Sequence, residues 1–171
     1  MSLVKNWIGC GFLLLLIGCG SAENTPEEAL ETVRTAFKED RWDLLYDVLP
    51  QAKQASFDQQ VASSDQQFRA VAQQIGAAKA SEQLKREFGF TLSDWEGMNS
   101  KERFSAIFQR DAKMKLAHLG VNPEYVEGGT IKSTSIRGDE ATIQLDDGRG
   151  HRPRLKFKLE GNRWRFDIGG E

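Results

Sequence analysis

The residues best suited to chemistry lie near the end of the chain. Arg149, Arg152, Arg154, Lys156, Lys158, Arg163 and Arg165 place seven cations within 17 residues, with Glu160 as the one carboxylate among them. Guanidinium and ammonium groups at this density bind anions through charge-assisted hydrogen bonds. The plainer alternative is a solvated charged face. If residues 154–159 and 163–168 are strands, alternation puts Arg154, Lys156 and Lys158 on one face and Arg163 and Arg165 on one face of the next. A hairpin of the two then sets like charges opposite each other, which is mildly destabilising and calls for an anionic partner.

Catalytic parts are scarce. The two histidines, His118 and His151, exclude a multi-histidine metal centre. His118 reads as a helix C-terminal charge that complements the dipole, and His151 as part of a basic loop. No Walker loop, dinucleotide turn, nucleophile elbow or HExxH motif occurs, and Ser64 and Ser100 have no base adjacent in sequence. Asp146-Asp147-Gly148 lacks the remaining ligands of a calcium loop and reads as a hairpin turn. No catalytic residue, metal or cofactor is expected from these motifs.

The elements that position the cations are legible from periodicity. Thr25-Pro26-Glu27-Glu28 opens a helix with a capping box, and Ala29, Leu30, Val33, Ala36 and Phe37 form its buried stripe. Asp40 is the expected cap of a second, shorter helix, which carries Trp42, Leu45, Val48 and Leu49 to Pro50. Residues 51–83, rich in Gln and Ala, predict one long amphipathic helix. Phe57, Val61, Phe68, Val71 and Ile75 share its apolar face, and Ser64 sits at the missing repeat. The segment is too short for a sustained coiled-coil seam, so packing within the domain is expected. Gly89 ends this region, Trp95 and Met98 lie in a short turn or helix, and Ser100 is the expected cap of another. That helix buries Phe104, Ile107, Phe108, Met114 and Leu119 and closes at Gly120 and Pro123. From Thr130 the period becomes alternating, with turns at Gly138-Asp139, Asp147-Gly148 and Gly161-Asn162. The expected fold class is α+β, with N-terminal helices packed on a C-terminal three- to four-stranded antiparallel meander.

The beginning of the chain is of a different character. Lys5 precedes an apolar run from Trp7 to Ile17 that is shorter than the ~20 residues a spanning helix needs, so it reads as a signal peptide over 1–18. The end of the run, Leu16-Ile17-Gly18-Cys19, resembles the lipobox of bacterial lipoproteins at all four positions. A second Ile-Gly-Cys-Gly at residues 8–11 has no apolar stretch between it and Lys5, so Cys10 reads as part of the signal. The resemblance implies cleavage before Cys19 and acylation of its thiol; the alternative is an ordinary thiol behind an uncleaved anchor. Gly20 follows Cys19 in place of Asp, which by analogy with enterobacterial sorting favours the outer membrane. Residues 19–24 would form a short tether reaching roughly 20 Å at about 3.5 Å per residue, and 25–171 a single domain.

Composition agrees with one globular domain: 39% hydrophobic and 28% charged residues exclude a disordered or polytopic chain. Removing 1–18 takes Lys5 from the 23 basic residues and none from the 25 acidic ones, for a net charge of −3. Nucleic acid is therefore a poor partner. One acylated cysteine also leaves no intrachain disulfide. The partner expected first is the bilayer, through Cys19. Arg154, Lys156, Lys158, Arg163 and Arg165 are the candidate docking residues for anionic lipid, an envelope polymer or a protein. Each cation near an anionic surface contributes roughly 1 kcal/mol.

Two stretches, Thr25 to Pro50 and Gly161-Asn162-Arg163-Trp164-Arg165-Phe166, resemble small exported lipoproteins of the NTF2-like superfamily. Residues 51–119 depart from it, adding about two helices where a strand and one helix are usual. The resemblance implies a cone-shaped pocket in which an Asp and a Tyr move a proton, and Asp43 and Tyr46 are spaced to share a helix face; the plainer reading, and the preferred one, is Tyr46 as core rim and Asp43 as a first-turn charge. A pocket lined by Phe37, Trp42, Trp164 and Phe166 would favour ligand binding, and the same residues packed solid a scaffold. The expected function is a non-catalytic binding or interaction role in the cell envelope, facing the periplasm or the exterior. An NTF2-like enzyme and a purely structural protein are the alternatives.

Overall fold

A computed structural model of the protein describes residues 25–118 and 121–168, the side chains of 110–118 excepted. The expected signal peptide 1–18, Cys19 and tether 19–24 lie outside the described residues, as do Leu119, Gly120 and the side chains of Met114 and His118. The described residues form seven helices followed by four strands, the expected α+β arrangement.

Helix α1 (Pro26–Lys38) starts at the capping box: the Glu28 amide donates to Thr25 Oγ1 and the Thr25 amide to Glu28 Oε2, each at 3.1 Å. Its stripe of Ala29, Leu30, Val33 and Ala36 is fully buried. Asp40 does not cap α2 (Trp42–Val48). It occupies the left-handed region at φ +52°, where Asp is tolerated better than most residues, and so reverses the chain between the two helices. Arg41 takes the cap position and grips Asp43 through two 2.8 Å hydrogen bonds.

The single helix expected over 51–83 is two, α3 (Gln51–Ile75) and α4 (Ala77–Phe88), broken at Gly76 with φ +87°. Along α3, Val61 is buried and Phe57 and Phe68 partly so, whereas Val71 and Ile75 are exposed. The segment packs within the domain through its first five turns, and its last two turns run free of the core. Gly89 adopts the left-handed C-cap, followed by α5 (Leu92–Gly97). Helix α6 (Ser100–His118) is capped one residue earlier than expected: Asn99 Oδ1 accepts from the Glu102 amide at 3.0 Å and Glu102 Oε2 from the Asn99 amide at 2.8 Å. Pro123 opens a further short helix, α7 (Pro123–Gly128), capped by Asn122.

Strands β1 (Thr130–Arg137), β2 (Glu140–Asp146), β3 (Arg154–Glu160) and β4 (Arg163–Asp167) form an antiparallel meander in chain order. Ala141, Ile143, Leu145, Leu155, Phe157, Trp164 and Phe166 make the inner face, buried under α1 and α2. Arg34 on α1 binds the Val126 carbonyl at 2.9 Å and the Gly129 carbonyl, fixing where β1 begins. Gly129 has no alternative there, since a Cβ would meet the Tyr125 carbonyl oxygen at 2.5 Å and Leu145 Cβ at 3.1 Å. A second core lies among α3, α4, α5 and α6, built on Val61, Leu84, Phe90 and Trp95, with Phe57 packed against both cores.

Candidate functional site

The residues expected to line a cone pocket do not line one. Phe37, Trp42, Trp164 and Phe166 are at most 5% exposed and packed into the sheet core, with Phe37 and Trp42 ring centroids 6.0 Å apart. These four side chains therefore stabilise the fold, as in a scaffold. Asp43 and Tyr46 do not form a proton-transfer pair either. Asp43 is held by Arg41, whose hydrogen bonds keep the carboxyl below its ordinary range. The Tyr46 hydroxyl donates instead to Asp58 on α3 at 3.1 Å, and burial together with that carboxylate pushes it up to about 12. At neutral pH, Tyr46 is a structural donor.

A cleft opens elsewhere, between α3 and α6. Six α3 residues, Lys53, Ser56, Phe57, Gln60, Val61 and Ser64, fall on one face at successive intervals of three and one. Phe104, Ile107 and Phe108 face them from α6, with Leu49 and Ile168 closing the end. The volume is about 510 Å³, within the range of small-molecule sites. Its floor is aromatic: Phe57 meets Phe104 edge-on at 4.7 Å, and Phe104 stacks on Phe108 at 4.2 Å. Lys53 is the one ionisable group lining it among the described residues, so the walls can hold an apolar molecule and lack an acid–base pair to act on it. Ser64 carried the signal for this site: a small polar residue interrupting an apolar stripe leaves room where Leu or Phe would fill it. The partner wall on α6 is far away in sequence and gave no such sign.

The basic residues gather on the sheet. Arg154, Lys156, Lys158, Arg163 and Arg165 all lie on the outer face of the sheet, but the register relieves most of the expected repulsion. Lys156 stands opposite Asp167 and Glu160 opposite Arg163; Lys158 and Arg165 are the one like-charged pair across this hairpin. Arg165 turns over the β4 edge to donate to the Asp47 carbonyl, and Glu160 accepts from the Gln51 amide at 2.9 Å, capping α3. Arg149 and Arg152 lie in the β2–β3 loop, where Arg152 reaches Asp146 at 4.0 Å.

That loop is a closed turn. Asp147 Oδ1 accepts from the Arg149 amide at 2.8 Å and the His151 amide at 3.0 Å, and its Oδ2 lies 2.7 Å from His151 Nδ1. Burial opposes the Asp147 charge, but these contacts outweigh it and hold the carboxyl below its ordinary range. The His151 ring stacks on Tyr125 at 5.1 Å. Asp146 likewise accepts from the Gly148 amide at 2.9 Å, so both carboxylates serve the turn, and the described residues hold no cluster of three metal-ligating side chains. No helix among the described residues is long and apolar enough to cross a membrane. Comparison with protein-family models, with curated proteins and with solved structures finds no match to this chain.

Proposed function

We propose that this chain is a lipid-anchored protein of the bacterial cell envelope, facing the periplasm or the exterior, whose role is to bind rather than to catalyse. We assign the α3–α6 cleft as the binding site for a small apolar ligand. The observation that carries the binding reading is the cleft itself: aromatic floor, hydroxyl and amide rim, and a size suited to one small molecule. The anchoring is supported by Leu16-Ile17-Gly18-Cys19 at the end of a short apolar run, and by the capping box at Thr25 only six residues later. The opening helix pair on a meander supports a distant NTF2-like relationship, with the helices after α2 as an elaboration that moves the cavity away from the sheet.

Native mass spectrometry of the protein purified from membranes tests both parts. The expected species begins at Cys19, carries acyl chains and releases a small apolar molecule on denaturation. A Ser64→Trp variant, which fills the cleft, loses the released molecule and keeps the acyl mass. Retention of residues 1–18, or a Cys19→Ser protein that stays membrane-bound with the same processed start, would overturn the anchoring. A purified protein that carries nothing and binds no apolar fluorescent probe would overturn the ligand site and leave the structural role.

A further inference from the structure

The outer face of the meander carries rows of polar side chains in register. Across the strands run Arg137, Glu140, Lys158 and Arg165, then Ser135, Thr142, Lys156 and Asp167, then Ser133, Gln144 and Arg154. With Arg163 and Glu160 this gives six cations against three carboxylates on one face, while the chain after residue 18 is net negative. Arg137, Arg154, Lys156, Lys158 and Arg163 are exposed, and among the described residues none of them makes an ion pair. Glu160, across from Arg163, shares its carboxylate with the α3 amide and makes no ion pair with that arginine. Between Arg137 and Arg154 the hydroxyls of Ser133, Ser135 and Thr142, the Gln144 amide and the Glu140 carboxylate line a polar trough of about 480 Å³.

Where the chain enters the fold decides what this face can meet. Thr134 Oγ1 on β1 donates to Glu27 Oε1 at 2.5 Å, fixing the start of α1 beside the edge strand. Cys19 lies six residues before Thr25, a reach of roughly 20 Å. Packed layers lie about 10 Å apart, so this length suffices to pass from the helix layer round the β1 edge to the level of the outer face. Ile131 and Ile136, 39% and 54% exposed, lie on the other face of that edge strand, in register with Leu145 and Ala141, and so belong to the helix side.

We propose that the open face of the sheet lies against the anionic surface of the bilayer that holds Cys19, its free arginines and lysines taking lipid phosphates and the trough hydroxyls adding hydrogen bonds. This rests on the lipid anchoring proposed above. The consequence is a fixed orientation, with α1 and α2 on the far side of the sheet from the membrane.

The test is amine labelling, read residue by residue by mass spectrometry, of the processed lipoprotein inserted into preformed liposomes. One set is phosphatidylcholine alone and the other contains about 30 mol% phosphatidylglycerol. In the anionic set, labelling of Lys156 and Lys158 is expected to fall at least about fivefold and to recover when salt is raised from about 0.15 to 0.5 M. Lys79 and Lys85, exposed on α4, serve as controls and stay unchanged. An Arg154→Gln/Arg163→Gln variant, which keeps both reporter lysines, regains labelling in the anionic set. Equal labelling of Lys156 and Lys158 in the two sets overturns the proposal, as does protection conferred only by an added soluble acidic polymer. Failure of the protein to sediment even with phosphatidylcholine liposomes would count against the anchor itself, and so is distinguishable from failure of the docking.

Discussion

Asp65 holds three parts of the helical region together. Its Oδ1 accepts from the Trp95 indole N–H, and its Oδ2 from Arg103 at 2.9 Å. Arg103 in turn binds the Trp95 carbonyl at 3.2 Å, with its guanidinium 5.0 Å from the indole centroid. Trp95 is 1% exposed, so an Asp65→Ala change leaves a buried indole donor and a largely enclosed guanidinium without their acceptor. The expected loss is about 2–4 kcal/mol in urea unfolding, with Asp65→Asn losing about half as much. The partners stand 30 and 38 positions away, so nothing in the local sequence announces the cluster. The Thr25–Glu28 box was legible for the opposite reason, since both members fall within one turn. Tyr46 shows the boundary between the two cases: its helix could be read, but its acceptor is Asp58 on another helix rather than Asp43 on its own.

At the scale of elements, the strands were the easier half. Alternation punctuated by Gly138, Gly148 and Gly161 defines β1 to β4, because a half-buried sheet imposes a period of two that few other structures share. The helices were misread where backbone conformation rather than pattern decides. Gly76 sits inside an amphipathic run that continues on both sides, yet its φ of +87° and ψ of 143° belong to a region almost confined to glycine. A Cβ there would meet nothing within 4 Å, so the cost of Gly76→Ala is purely one of backbone strain. It should lower stability by about 1–3 kcal/mol in denaturant unfolding. Gly97→Ala at the end of α5, also in open space but without a positive φ, is expected to change it by less than about 0.5 kcal/mol. Helix α7 was missed because six residues are too few to display a helical period.

For the whole molecule, the important division is between two cores. One is the sheet roofed by α1 and α2, where many side chains are wholly buried; the other is the aromatic cluster of Phe68, Phe88, Phe90 and Trp95, parts of which stay partly exposed. The cleft lies where α3 and α6 pass from one core to the other, so its shape depends on how the two meet. Native-state hydrogen exchange is expected to show the amides of α4 and α5 opening together, well before those of β2, β3 and α1. A single opening free energy shared by all of them would refute this division. Such a boundary is not written in any local stretch, because Phe57 belongs to both sides and only the folded chain decides how far each reaches. The edge of the meander has a last consequence. The pairing of β1 with β2 slips between Ile131 and Ser133, leaving Lys132 as an extra residue in the outermost strand. That bulge and its charge make β1 a poor template for another copy's backbone, which guards this edge of the sheet against pairing between molecules crowded side by side.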